Sequence, residues 1–253
     1  MAKKKSKTAA KAPRLSPAMF KVTGVDSPLK VNDKSQKLCY FAAKIDPEKA
    51  GKIALTEGAD VLGVSVTNAT AAKPALKYDF YCTYDATLER KFLRVRKQEL
   101  GVNDQVKSVL VGNEVIMPGK GDDVPGNSVK LNVVELFEIT QKDGMTLDGL
   151  TGGPAREVEK LLEGPGKKVT TPAWVKRNSI SAGPFASVDK VVKAVSKIAA
   201  SRPSDAKRVV LQELNFKELI GFYVPTYYVK VTSGKKSKTM KINAINGKVS
   251  VQV

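Results

Sequence analysis

SVDKVVKAVSKIAASRPSDAKRVVLQELNFKELIGFYVPTYYVKVTSGKKSKTMKINAINGKVSVQV, residues 187–253, carries two periodicities in succession. Ser187 can cap a helix with its hydroxyl, and Val188, Val191, Val192, Val195 and Ile198 follow at helical spacing until Pro203 stops the run. Lys190, Lys193 and Lys197 take the polar face. Beyond the proline, runs rich in β-branched and aromatic residues at 208–216, 222–232, 237–243 and 248–253 are separated by Ser233 with Gly234 and by Asn246 with Gly247. A helix followed by an antiparallel meander is the expectation.

Toward the amino terminus the same order recurs. Asp46 and Pro47 read as a helix cap and first helical residue, and Ala50, Ile53, Ala54 and Leu55 give helical spacing that stops near Gly58. Strands are expected at 61–67, 78–84 and 90–100, then at 106–111 and 113–116 through a tight turn at Gly112 and Asn113. Phe80 and Tyr81 answer Phe222 and Tyr223. Between the halves, 118–128 (PGKGDDVPGNS) is a connection, 129–140 a strand turned at Lys142, Asp143 and Gly144, and 151–184 an irregular excursion. That excursion holds a short helix with Val158, Leu161 and Leu162, and the lone tryptophan, Trp174, is suited to docking it on a core.

The fold class expected is therefore α+β: two helix-plus-antiparallel-meander units, read as one module duplicated. In domain terms this gives a lysine-rich arm at 1–20, disordered because it has too little apolar surface to offset its ordering entropy. A first unit at 21–118, a connection at 119–186 and a second unit at 187–253 follow. The helix, the aromatic strand and MKINAINGKVSV (240–251) resemble the PepSY type of small α+β domain, although an Asp commonly stands in that family where Asn243 stands here. The resemblance covers 187–253 and implies a PepSY-like binding or regulatory module without catalysis.

The 253 residues include 43 Lys and Arg against 25 Asp and Glu, a formal charge of +18 with pI near 9.8. A field of that size attracts polyanions. Histidine is absent, which removes the commonest general base and the commonest transition-metal ligand. Cys39 and Cys82 sit among aromatic neighbours and read as buried apolar positions, not as a disulfide framework. No window approaches the roughly 18 apolar residues of a membrane helix, and no hydrophobic region follows the first charged stretch, so a cytoplasmic protein without membrane partner is expected.

Several motifs have plain structural explanations. Ser187 and Lys190 match S-x-x-K, but capping accounts for the serine and the companion motifs are missing. GKGDDVPGN and GLTGGPA lack the phosphate-loop spacing, and Asp122 with Asp123 supplies too few oxygens for a cation loop. Neither catalytic residues, metal ligands nor a cofactor site are assigned.

The basic clusters are more specific. Lys3, Lys4, Lys5, Lys7, Lys11 and Arg14 make the arm cationic. Arg90, Lys91, Arg94, Arg96 and Lys97 crowd one strand, with Arg90, Arg94 and Arg96 on one face, and Lys235, Lys236, Lys238 and Lys241 line a hairpin. Like charges this close favour a phosphate partner, whereas lysines on an edge strand also guard against aggregation. Lysine predominates over arginine, which suits backbone contact more than base reading. The functional expectation is a non-enzymatic, ribosome- or nucleoid-associated protein holding RNA or DNA by its phosphates. The alternative is a structural or assembly protein, a virion or scaffold component, that binds another protein or itself.

Overall fold

The computed structural model describes residues 15–252. The arm residues Lys3, Lys4, Lys5, Lys7, Lys11 and Arg14 lie outside the described residues, and Pro17–Phe20 form a 3-10 turn. In chain order the elements are β1 (Lys30–Asn32), β2 (Gln36–Phe41), α1 (Pro47–Leu62), β3 (Thr70–Ala71) and β4 (Ala75–Val102). Next come β5 (Val109–Val111), β6 (Glu114–Ile116), β7 (Gly119–Lys120), β8 (Asn127–Asp148), α2 (Arg156–Glu163), β9 (Lys167–Val169) and α3 (Pro172–Arg177). The chain finishes with α4 (Val188–Ala199), β10 (Arg208–Ser233), β11 (Lys236–Asn243) and β12 (Val249–Val251).

This corrects the expected fold class. Strand takes 47 % of the described residues against 21 % for helix, and ten strands form one mixed sheet with its main path ordered β12-β11-β10-β4-β8-β7. A duplicated helix-plus-meander α+β module is thereby ruled out. The long strands β4, β8 and β10, of 28, 22 and 26 residues, account for the excess of strand, and two glycines lie inside elements that continue through them. Gly58 does not end the first helix: α1 runs to Leu62 and is closed by Gly63 in the left-handed region, φ 68°. A Cβ on Gly58 would lie 2.7–2.9 Å from the side chain of Val231, so this glycine lets α1 lie close on β10. Gly221 does not divide two strands, since β10 runs unbroken through it, and a Cβ there would lie 2.8–2.9 Å from Phe80, Val188 and Leu38. Both glycines serve close packing, not chain breaking. Residues 61–67, expected as a strand, hold the end of α1 and a short 3-10 turn.

Caps fall where the sequence places them. Asp46 accepts from the Lys49 amide at 2.8 Å, and the Ser187 hydroxyl accepts from the Lys190 amide at 3.3 Å. Each satisfies one of the orphan donors at a helix start.

The chain divides into two compact units, each gathered from three separate stretches. Among the described residues one comprises 15–28, 89–139 and 202–212, and the other 29–88, 140–201 and 213–252. The first unit has a small core of Phe92, Ala206 and Val209 with Phe137 and Ile139. It also carries the separate two-stranded hairpin β5–β6, turned at Gly112 with φ 60°.

In the second unit the period of two sorts β10 into faces. Leu219, Tyr223, Tyr227, Val229 and Val231 point to one side, where Val188 and Val191 of α4 and the alanines of α1 pack on them with Phe80, Met240 and Ile242. On the other side Phe222 and Val224 meet Leu162 of α2, with Cys39, Phe41 and Tyr81. α2 covers only part of this second face. Further along the strand Thr226 and Tyr228 open into a polar cleft. Trp174 of α3 stacks on Tyr40 with ring centres 4.5 Å apart and meets Tyr78 edge-on at 4.9 Å, docking the 151–184 excursion.

Candidate functional site

The cleft on the half-covered face has a buried acid at its base. Asp79 lies in KYDFYCTYD (77–85) of β4, where alternation sends Lys77, Asp79 and Tyr81 to the side opposite Tyr78, Phe80 and Cys82. The Asp79 carboxylate accepts from Ser181 Oγ at 2.5 Å and from Tyr228 Oη at 2.5 Å, and it pairs with Lys241 Nζ at 2.8 Å. Asp79 is 2 % exposed at its side chain and Lys241 15 %. Strand register brings Lys241 here: it stands opposite Tyr228 on β10 and opposite Ser250 on β12. Burial first, then the hydrogen bond to Asp79, holds the Tyr228 phenol well above the ordinary tyrosine range.

Around this base is a cavity of about 470 Å³ lined by Lys77, Asp148, Thr151, Ser181, Tyr228 and Lys241, among others. A smaller recess of about 90 Å³ shares Lys241 and Ser250 with it and reaches Glu157 and Lys248, which pair at 2.6 Å. Lys77 Nζ lies 5.3 Å from the Tyr228 ring centre and Lys241 Nζ 5.5 Å, so one ring carries two ammonium groups.

The basic sets read from sequence have different surroundings. Arg90 is buried, and burial depresses its guanidinium pKa. Arg94 donates Nε to Glu135 at 2.6 Å and Nη1 to Asp205 at 3.2 Å, and lies 4.3 Å over the Phe137 ring. Arg96 is 3.9 Å from Glu135, and Lys91 pairs with Glu138 at 2.8 Å. Lys97 is exposed and forms no ion pair among the described residues. Residues 89–139 hold eight basic and eight acidic side chains, and Lys91, Arg94 and Arg96 of this strand have carboxylates beside them.

The hairpin differs. Residues 213–253 hold seven lysines against two acids. Lys235, Lys236 and Lys238 are exposed and make no ion pair among the described residues. Lys241 is parted from them by the same alternation, because Lys236 and Lys238 follow the face of Met240 and Ile242. Lys77, Asp79 and Ser181 are site residues that the sequence reading did not select. An ionisable residue inside an apolar strand run is the signal that could have marked Asp79.

No group of His, Cys, Asp and Glu among the described residues is arranged to hold a metal ion, and no helix among them is long and apolar enough to cross a membrane. Both cysteines are buried free thiols, and burial pushes Cys82 up to about 12. Comparison with protein-family models, curated proteins and solved structures gives no match to this chain. The resemblance of 187–253 to PepSY domains therefore has no relative to be weighed against.

Proposed function

We propose that this chain is a non-enzymatic nucleic-acid-associated protein that holds RNA or DNA by its phosphate backbone. The observation carrying this reading is where cationic charge is left uncompensated. Six of the 43 basic residues fall in the first fourteen positions with no acid among them, and the β10–β11 hairpin presents Lys235, Lys236 and Lys238 without carboxylate partners among the described residues. The strand at 90–97, by contrast, has acids of its own unit beside it and contributes less. Exposed lysines without bidentate geometry suit phosphate contact of low sequence preference. The test is fluorescence anisotropy of labelled single- and double-stranded oligonucleotides with the full chain at low salt. Binding that weakens steeply as salt rises is expected, and absence of binding at low salt overturns the reading.

A second reading, protein binding or assembly, has its own observation. On the β5–β6 hairpin the paired Leu110 and Val115 are 69 % and 63 % exposed, and Met117 just beyond β6 is 71 % exposed, an apolar run at a two-stranded ribbon outside the main sheet. Contiguous apolar exposure of this kind marks interaction surfaces. Light scattering of the chain and of a Leu110→Ser/Val115→Ser/Met117→Ser variant tests it. A concentration-dependent oligomer lost in the variant supports assembly, and a monomer in both removes it.

A further inference from the structure

We infer that the cleft over Tyr228 is a phosphate-binding site, with Lys77 and Lys241 as the groups that engage the anion. The inference rests on the nucleic-acid reading above for its natural ligand, the phosphodiester of a bound strand, but the site's chemistry stands on its own geometry. The buried acid at the base has both carboxylate oxygens occupied by the protein. Asp79 takes donors from Ser181, Tyr228 and Lys241, and Asp148 Oδ1 takes the backbone N–H of Leu150 at 2.7 Å and of Thr151 at 3.4 Å. The cleft's donors are left over. Lys241 gives one of its three N–H groups to Asp79, and Lys77 has no carboxylate partner among the described residues, only the Tyr228 ring. A cavity whose buried carboxylate is already paired and whose ammonium donors are left over is complementary to a ligand that supplies acceptors, and phosphate oxygens do so.

Size and placement agree. About 470 Å³ lies within the range of small-molecule sites and exceeds what a bare phosphate needs, leaving room for an attached sugar. The buried Asp79 fixes Lys241 in place, so one donor is ordered in advance, and binding costs less side-chain entropy than on a surface lysine. Lys77 would rotate off the ring to complete the contact.

The probes are inorganic phosphate, adenosine 5′-monophosphate and adenosine, added to the full chain and followed by backbone amide chemical shifts at residues 77–79, 181, 241 and 250. Phosphate and the monophosphate should shift these signals, adenosine should not, and Lys77→Ala should weaken the effect at least tenfold while Lys77→Arg retains most of it. With oligonucleotides, Lys77→Ala should also reduce the salt slope by about 0.7–0.9, one phosphate contact. Three results overturn the inference: no shift with phosphate or the monophosphate at millimolar concentrations, equal shifts with adenosine, or shifts indifferent to Lys77→Ala. If these occur while oligonucleotides still bind, the cleft assignment fails alone. If the mononucleotide binds but oligonucleotides do not, the cleft is a small-phosphate site and the nucleic-acid reading fails instead.

Discussion

Replacing Lys241 with methionine tests the polar network under the cleft. Methionine keeps much of the side chain's length and removes its charge, leaving the Asp79 carboxylate with Ser181 and Tyr228 as its remaining donors. Because the pair is 15 % and 2 % exposed, the loss belongs to the buried class, about 3–5 kcal/mol for an acid stripped of its cation. For a chain of this size that corresponds to a melting temperature lower by roughly 6–20 °C. The assay is urea denaturation of wild type, Lys241→Met, Asp79→Asn and the double variant. The amide that Asp79→Asn introduces still offers a carbonyl oxygen to Ser181 and Tyr228, so the double variant should recover much of the loss, giving a clear coupling energy. Lys248→Ala serves as the control, since its pair with Glu157 is 56 % and 77 % exposed and its removal should pass almost unnoticed. If Lys241→Met falls no further than Lys248→Ala, or if the double variant is merely additive, the account of a buried, interdependent network is wrong.

Three further outcomes follow from the packing and the ionisable groups. Gly58→Ala, which would stabilise an ordinary exposed helix by up to about 1 kcal/mol, should instead destabilise by about 1–3 kcal/mol against Val231, with Val231→Ala relieving it; a stabilised Gly58→Ala by calorimetry would refute the close approach. Tyr81, Tyr84 and Tyr228 are held above the ordinary phenol range chiefly by burial, and Tyr223 is raised to about 12. The unfolded chain thus releases these protons first, so their contribution is full below about pH 10 and is lost as pH rises beyond it, which stability measurements from about pH 8 to 12 would reveal as a fall. Cys39 and Cys82 should stay unreactive toward a disulfide reagent until denaturant is added, and rapid labelling of the native chain would contradict their burial.

What could be read from the sequence was mostly local. The caps at Asp46 and Ser187, the turns at Gly112 and Gly234, the docking tryptophan and the two buried thiols all depend on neighbours in the chain, and all are present. The glycine at 58 misled because breaking a helix and admitting a close neighbour require the same missing Cβ, and Gly221 inside β10 has the second meaning as well. Only the positions of Val231 and Phe80, far away in sequence, separate the two meanings. The basic strand misled for a related reason. Its excess of charge is evident within residues 90–97, but Glu135, Glu138 and Asp205 reach it through pairing that no local pattern reveals. The cleft was half visible: Lys241 stood out by charge, while Asp79 and Ser181, separated by 102 positions, become neighbours only in the fold.

The slope of log affinity against log salt measures how many phosphates the acid-free run at 1–14 and the β10–β11 hairpin lysines neutralise. Four chains are compared on one duplex: wild type, a chain lacking residues 1–20, Lys235→Ala/Lys236→Ala/Lys238→Ala, and Arg94→Ala. At about 0.9 per neutralised phosphate, losing the six arm cations should lower the slope by up to roughly 5, and the hairpin variant by about 2–3. Arg94→Ala, whose charge Glu135 and Asp205 already engage, should leave it unchanged. A slope that falls with Arg94→Ala while ignoring the hairpin lysines would place the phosphate contacts on the 90–97 strand instead.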